Sequence, residues 1–194
     1  LSQMKRDMMA EVAATLAFST IANNDKVGVI FFSDKVEKFI PAQKGKTHVL
    51  HIIRELLSFE PSSSGTDIAQ ALQYFANAQK RHCTAFLISD FIGSGTMYKP
   101  LLIASNRHEL NAIQIYDRRE AELPNVGLVK FHDAETGGDL WVDTSIAAVR
   151  NEYAKTWNDN QNELQQLFTR TGVNNISIRT DEDYVKALMH LFRC

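Results

Sequence analysis

The feature that most constrains this chain is an alternation. Short, mostly apolar runs are separated by stretches whose apolar residues recur every three to four positions. The runs are Val27-Gly28-Val29-Ile30-Phe31-Phe32, Cys83 to Ser89 with its core Ala85-Phe86-Leu87-Ile88, and Ala112 to Tyr116, and the more polar Asn174 to Arg179 reads as a last strand. A continuous apolar run of this length reads as a strand buried on both faces, the pattern of parallel sheets covered by helices. Met4, Met8, Val12 and Leu16 form one helical stripe. Val49, Ile52, Ile53, Leu56 and Leu57 form a second, and Ile68, Ala71, Leu72, Phe75 and Ala76 a third. The expected fold is therefore α/β: a doubly wound, mostly parallel, Rossmann-type sheet with helices on both faces, in a single domain over residues 1–194.

Local signals refine this outline. Ser33-Asp34-Lys35 is a turn, and Val36 to Ile40 alternates apolar with charged residues, as a half-exposed edge strand paired through that turn does. Pro61-Ser62-Ser63-Ser64-Gly65 is a loop, and Thr66 stands where a helix N-cap belongs. A short helix is expected near 98–107 and a long polar helix, or two shorter ones, over about 145–170. Thr180 with Asp183 reads as the capping box of a terminal helix. The turn-rich stretch around 125–143 is expected to be a small β-hairpin insertion.

The 21 basic and 23 acidic residues nearly cancel, to a formal net charge of -2, which removes any electrostatic case for nucleic acid or an anionic membrane as partner. Cys83 and Cys194 are unclustered, giving neither a disulfide framework nor a zinc site, so a cytoplasmic setting is expected. No apolar stretch approaches the roughly 20 residues that cross a bilayer. The chain begins with Leu1 rather than Met and reads as N-terminally truncated.

In open α/β sheets ligands bind beyond the carboxyl ends of the strands. Ser33 and Asp34 follow the first buried run, Thr66 opens a helix after a Ser/Gly loop, and Asp90 follows the second run. A hydroxyl and a carboxylate converging there suit a hard cation such as Mg²⁺, which takes about six oxygen ligands. On pattern alone the plainer reading prevails: Thr66 is a cap and Asp90 a strand-end turn residue.

A resemblance shifts that balance. Ser63-Ser64-Gly65-Thr66-Asp67-Ile68 followed by Phe86-Leu87-Ile88-Ser89-Asp90-Phe91 resembles the second and third motifs of the von Willebrand factor A fold. There a Thr after a Gly-containing loop and an Asp after a buried strand bind a divalent metal. Asn24-Asp25-Lys26-Val27-Gly28 and Phe31-Phe32-Ser33-Asp34 resemble that fold's first helix end and second strand. Asp117-Arg118-Arg119-Glu120, Leu123-Pro124 and Asp133-Ala134-Glu135-Thr136-Gly137 resemble one bacterial branch, the domain-of-unknown-function family fifty-eight. The resemblance implies a protein-binding module rather than an enzyme, often paired with a MoxR-type AAA+ ATPase. Its metal site would be a metal-ion-dependent adhesion site, to which Thr66 and Asp90 carry over. Ser33, Asp34, Ser64 and Asp67 flank them as partner-binding candidates.

The chain departs from that pattern at its start. The A fold opens with a strand ending in Asp-x-Ser-x-Ser, and Leu1-Ser2-Gln3 is too short to be that strand. Mg²⁺ is therefore expected in the parent protein and weakly or not at all in this chain. The strands at 27–33 and 83–89 each lose a neighbour, so they are expected either to pair with one another or to dimerise through an exposed sheet edge.

Other residues carry weaker signals. Gly93 and Gly95 lack the remainder of a dinucleotide or P-loop fingerprint and read as a plain loop. They keep open the alternative of a metal- or nucleotide-dependent α/β hydrolase using Asp90. His48 and His51 are expected in surface or packing roles, and His132, Asp133 and Glu135 on a polar hairpin. The run Asp117 to Glu120 is expected to be solvated, or to hold internal Arg–carboxylate pairs.

Overall fold

In the computed structural model, residues 2–63, 65–93, 96–132 and 138–192 are described. The elements run α1 (Ser2–Ala22), β1 (Val27–Phe32), β2 (Val36–Gln43), α2 (Lys46–Ser58), α3 (Ile68–Ala78), β3 (Thr84–Ser89) and α4 (Tyr98–Ser105). They continue β4 (Glu109–Tyr116), α5 (Arg118–Ala121), β5 (Leu128–His132), β6 (Asp139–Asp143), α6 (Ala147–Thr171), β7 (Asn174–Arg179) and α7 (Tyr184–Leu191).

The centre is a parallel sheet of three strands in the order β3-β4-β7. β4 carries the most deeply buried run of any strand, and its side chains alternate between the two faces, as a strand's period of two requires. Leu110 and Ala112 join Leu87 of β3 in a core under α3, α4 and α6, with Ile68, Leu72, Leu101 and Phe168. Ile113 and Ile115 join Ile178 of β7 in the core on the other face, under α1 and α7, with Val12, Leu188 and Leu191. Both faces are thus covered by helices, which is why β3 and β4 read as mostly apolar runs. Truncating a wholly buried Ile113 or Ile115 to Ala would cost about 2–5 kcal/mol.

The run at 27–32 does not join this sheet. β1 pairs antiparallel with β2 and, among the described residues, with no other strand; that hairpin closes a third core with Ala17, Val49 and Ile52. Of the two outcomes expected for the strands at 27–33 and 83–89, direct pairing with one another is therefore corrected. What joins the two sheets is side-chain packing through α1 and α3, which reach both. Phe32 at the end of β1 packs against the same core as Ile68 and Phe91. The hairpin expected around 125–143 is the antiparallel pair β5–β6.

Smaller departures have local causes. The α3 cap is Asp67, not Thr66: the Gln70 N–H donates to Asp67 Oδ1 at 2.9 Å, one residue later than the loop pattern suggested. Asp183 likewise caps α7 by accepting from the Val185 N–H, while the Thr180 hydroxyl turns to Asp117. The long polar stretch forms a single helix, α6, ended by Gly172 in the left-handed region at φ 66°, a conformation glycine adopts without a Cβ clash. Met4, assigned to the buried stripe of α1, is exposed, whereas Met8 and Leu16 pack against the core.

Candidate functional site

The carboxyl end of β3 is the best-organised polar cluster in the chain. Phe91, the second residue past the strand, has a backbone φ of 57°. That is a true outlier for a bulky side chain, and such strain persists only where the surroundings hold it. Here the Phe91 ring is buried at 5.3 Å from Phe168, its N–H donates to Ser89 Oγ at 3.1 Å, and the Ile92 N–H donates to Asp90 Oδ1 at 3.2 Å. The turn fixes Asp90 at the rim.

Asp90 is met there by Lys5, from the start of α1. The Lys5 ammonium lies 2.8 Å from Asp90 Oδ2 and 2.5 Å from Glu120 Oε1, and the three side chains are only 13%, 26% and 19% exposed. Burial opposes the charged ammonium, but the bonds to Asp90 and Glu120 outweigh it, so the Lys5 pKa stands above its usual 10.5. Glu120 is held from behind, since its Oε2 accepts from the Asp117 N–H at 3.1 Å in the capping box that starts α5. Gln114, buried on β4, ties the rim to the sheet: its Nε2 donates to the Asp90 carbonyl at 3.3 Å, and its Oε1 accepts from Ser177 at 2.8 Å.

Beside this cluster opens a cavity of about 930 Å³ between the β3 end and α6. Asp90, Gln114, Glu120, Tyr153, Trp157 and Arg170 are among its lining residues. Trp157 packs on Tyr116 with ring centroids 5.3 Å apart, and the Tyr153 hydroxyl donates to the Arg119 carbonyl at 3.2 Å.

The other candidates gather at the end of β1. The Asp67 N–H donates to the Ser33 carbonyl at 2.8 Å, which brings the 62–67 loop against that strand. Ser33 is buried, and its hydroxyl donates to Glu37 Oε1 at 2.7 Å, with Asp34 Oδ1 at 3.1 Å as a second acceptor. Glu37 also accepts from the Ser62 hydroxyl at 2.8 Å and the Ser62 N–H at 2.9 Å. These bonds hold the Glu37 carboxyl below its ordinary 4.5, the Ser33 hydroxyl contributing most. Ser33 and Asp67 are therefore engaged within the fold, while Asp34 and Thr66 are exposed. Ser64 lies outside the described residues, as do Gly95, Asp133, Glu135 and Cys194.

A divalent cation does not fit this arrangement. Among the described residues no group of three or more His, Cys, Asp or Glu side chains is placed to hold a metal ion. Asp90, the carboxylate that the resemblance makes a metal ligand, faces an ammonium. His48, expected in a surface or packing role, has its Nε2 2.9 Å from the Val27 carbonyl.

Lys5 and Gln114 were not singled out by sequence reasoning, and Glu120 was read only as part of the charge run at 117–120. Asp117 is buried and capping and Glu120 half-buried, which corrects the expectation of a solvated run at those two positions; Arg118 and Arg119 are exposed, and Arg118 pairs with Glu122.

Comparison with known proteins adds relatives but no activity. The chain is 28% identical over 185 residues to the uncharacterized proteins Rv1480 of Mycobacterium tuberculosis and Mb1516 of Mycobacterium bovis, covering 93% of this chain. It spans 57% of the length of those relatives. It is also 28% identical over 158 residues to the uncharacterized protein MAV169 of Mycobacterium avium, covering 79% of this chain and 92% of that protein. Among solved structures, the fold resembles that of the conserved hypothetical protein BatB from Bacteroides thetaiotaomicron, at 16% identity and a TM-score of 0.56. It also resembles an aerotolerance-related membrane protein from Bacteroides fragilis carrying multiple mutations to serines, at 18% identity and a TM-score of 0.57. Each alignment covers 95% of this chain and 86% of the other. The protein family of unknown function DUF58 matches residues 1–163, and the chain belongs to that family.

Proposed function

We propose that this chain is a non-enzymatic protein-binding module of von Willebrand factor A type, which docks partners at the carboxyl rim of its strands and cooperates with a MoxR-type AAA+ ATPase in the bacterial cytoplasm. One observation carries the reading. Phe32, Ile68 and Phe91, the chain neighbours of Ser33, Asp67 and Asp90, pack in a single core. Three separate segments, each just past a strand end or at a helix start, are thereby tied to one core, which supports a shared rim of binding loops as in a doubly wound sheet.

The sheet edges support the same reading. Among the described residues β1 pairs only with β2 and β3 only with β4, while α1 and α3 pack against both groups. One further strand between β1 and β3 would complete a doubly wound sheet. Left unpaired, the free edges favour a dimer. In this reading Mg²⁺ binds this chain weakly or not at all.

The test is direct binding. The purified chain is immobilised and offered the MoxR-type ATPase of the same organism, with and without nucleotide. Saturable retention supports the reading. No retention, together with phosphoester turnover that disappears in Asp90→Ala, would replace it with the hydrolase reading.

A further inference from the structure

We infer that Lys5 stands in for a metal ion at the Asp90 rim, so that recognition there is metal-independent. Asp90 and Glu120 together offer four carboxylate oxygens, and each already accepts a hydrogen bond. Asp90 Oδ1 accepts from the Ile92 N–H at 3.2 Å and Asp90 Oδ2 from Lys5 at 2.8 Å. Glu120 Oε2 accepts from the Asp117 N–H at 3.1 Å and Glu120 Oε1 from Lys5 at 2.5 Å. An incoming cation would have to expel a covalently tethered ammonium that reaches both carboxylates at once.

Through Lys5 the two carboxylates pin α1 to the carboxyl ends of β3 and β4. Without Lys5 they would face one another beside the cavity with no cation between them. A metal site built around Asp90 would need that carboxylate free, and here it is spoken for by a residue 85 positions away in the chain.

The inference rests on the proposed function for its meaning at this rim, and the two fail separately. The experiment follows the thermal midpoint of the chain in four forms: wild type, Lys5→Met, Asp90→Asn and the double variant. Each form is measured with Mg²⁺ and with NaCl at matched ionic strength. Lys5→Met is expected to melt a few degrees below wild type, and the same change made in Asp90→Asn to lose much less. Mg²⁺ is expected to leave the wild-type midpoint where NaCl leaves it.

Additive effects of the two substitutions would overturn the inference. So would a saturable Mg²⁺ stabilisation of the wild type that Asp90→Asn abolishes. If Lys5→Met does not fold, the double variant is expected to regain a cooperative transition, and failure to do so overturns the inference equally. Binding of the ATPase is read independently: its loss would sink the proposed function while leaving the four midpoints as they are.

Discussion

The Thr180 hydroxyl donates to Asp117 Oδ2 at 3.1 Å, joining the end of β7 to the cap of α5. The other Asp117 oxygen accepts from the Arg119 N–H at 2.8 Å, so one buried carboxylate serves two neighbouring segments. Asp117→Ala should cost about 1–3 kcal/mol, the sum of a lost cap and a half-buried hydroxyl left without its acceptor. Urea denaturation would measure it. A loss indistinguishable from zero would mean that α5 is held by the Lys5–Glu120 pair and the Tyr153–Arg119 bond.

Glu37 predicts a pH dependence. Its folded pKa lies below 4.5, so the stability it adds is present above that value and is lost as pH falls through the folded pKa. Between pH 5 and 3 the wild type is therefore expected to lose stability more steeply than Glu37→Gln, as read from urea midpoints at each pH. Parallel curves would refute the role given to the Ser33 and Ser62 bonds.

Gly28 predicts a steric effect on β1. A Cβ built there would lie 2.7 Å from the Ile40 carbonyl oxygen and 2.8 Å from the Ala42 nitrogen, at the register shift between Val27 and Val29. Both neighbours are backbone atoms of the paired strand and cannot swing aside. Gly28→Ala should destabilise by about 1–3 kcal/mol, the usual range for forced overpacking, with the loss read by thermal or urea denaturation. An unchanged midpoint would show that the bulge yields.

His108 predicts a second acid effect, nearer neutrality. Its ring is buried against Phe75, and its Nε2 has no hydrogen-bond partner among the described residues. Burial, with His82 and Arg107 nearby, lowers its pKa from 6.5. The unfolded chain then takes up a proton that the folded chain resists, so stability falls as pH drops below 6.5 toward the folded value. His108→Leu should flatten that segment of the stability profile. A segment equally steep in both proteins would assign it to another group.

How much of this was legible in the sequence follows from what each residue answers to. β3 and β4 were visible because burial on two faces writes mostly apolar runs into the chain, as at Ala85 to Ile88, and β7 from the β-branched Ile176 and Ile178 before a helix-cap signal. β1 gave the same signal for a different reason: its residues pack on α1, α2 and α3 within a two-stranded ladder, and an apolar run carries no record of which strand it pairs with. Asp90 was found because strand-end carboxylates are recognisable by position. Lys5 was not, because an ammonium that crosses the molecule to meet it looks, in one dimension, like any charge on a helix. Caps shifted by one residue, as from Thr66 to Asp67, because several consecutive polar residues compete and local backbone geometry decides among them.

The separation of β1–β2 from β3-β4-β7 bears on how the molecule opens. Among the described residues no ladder hydrogen bonds cross between the two sheets, and the bridge includes side chains from α1 and α3, Phe32 and the Asp67–Ser33 contact. Backbone amides of the hairpin should therefore exchange with solvent through a lower-energy excursion than those of β4, whose protection reports global unfolding. The half of the rim built on Ser33 and Asp34 could then be remodelled by a partner while the half built on Asp90 keeps its shape.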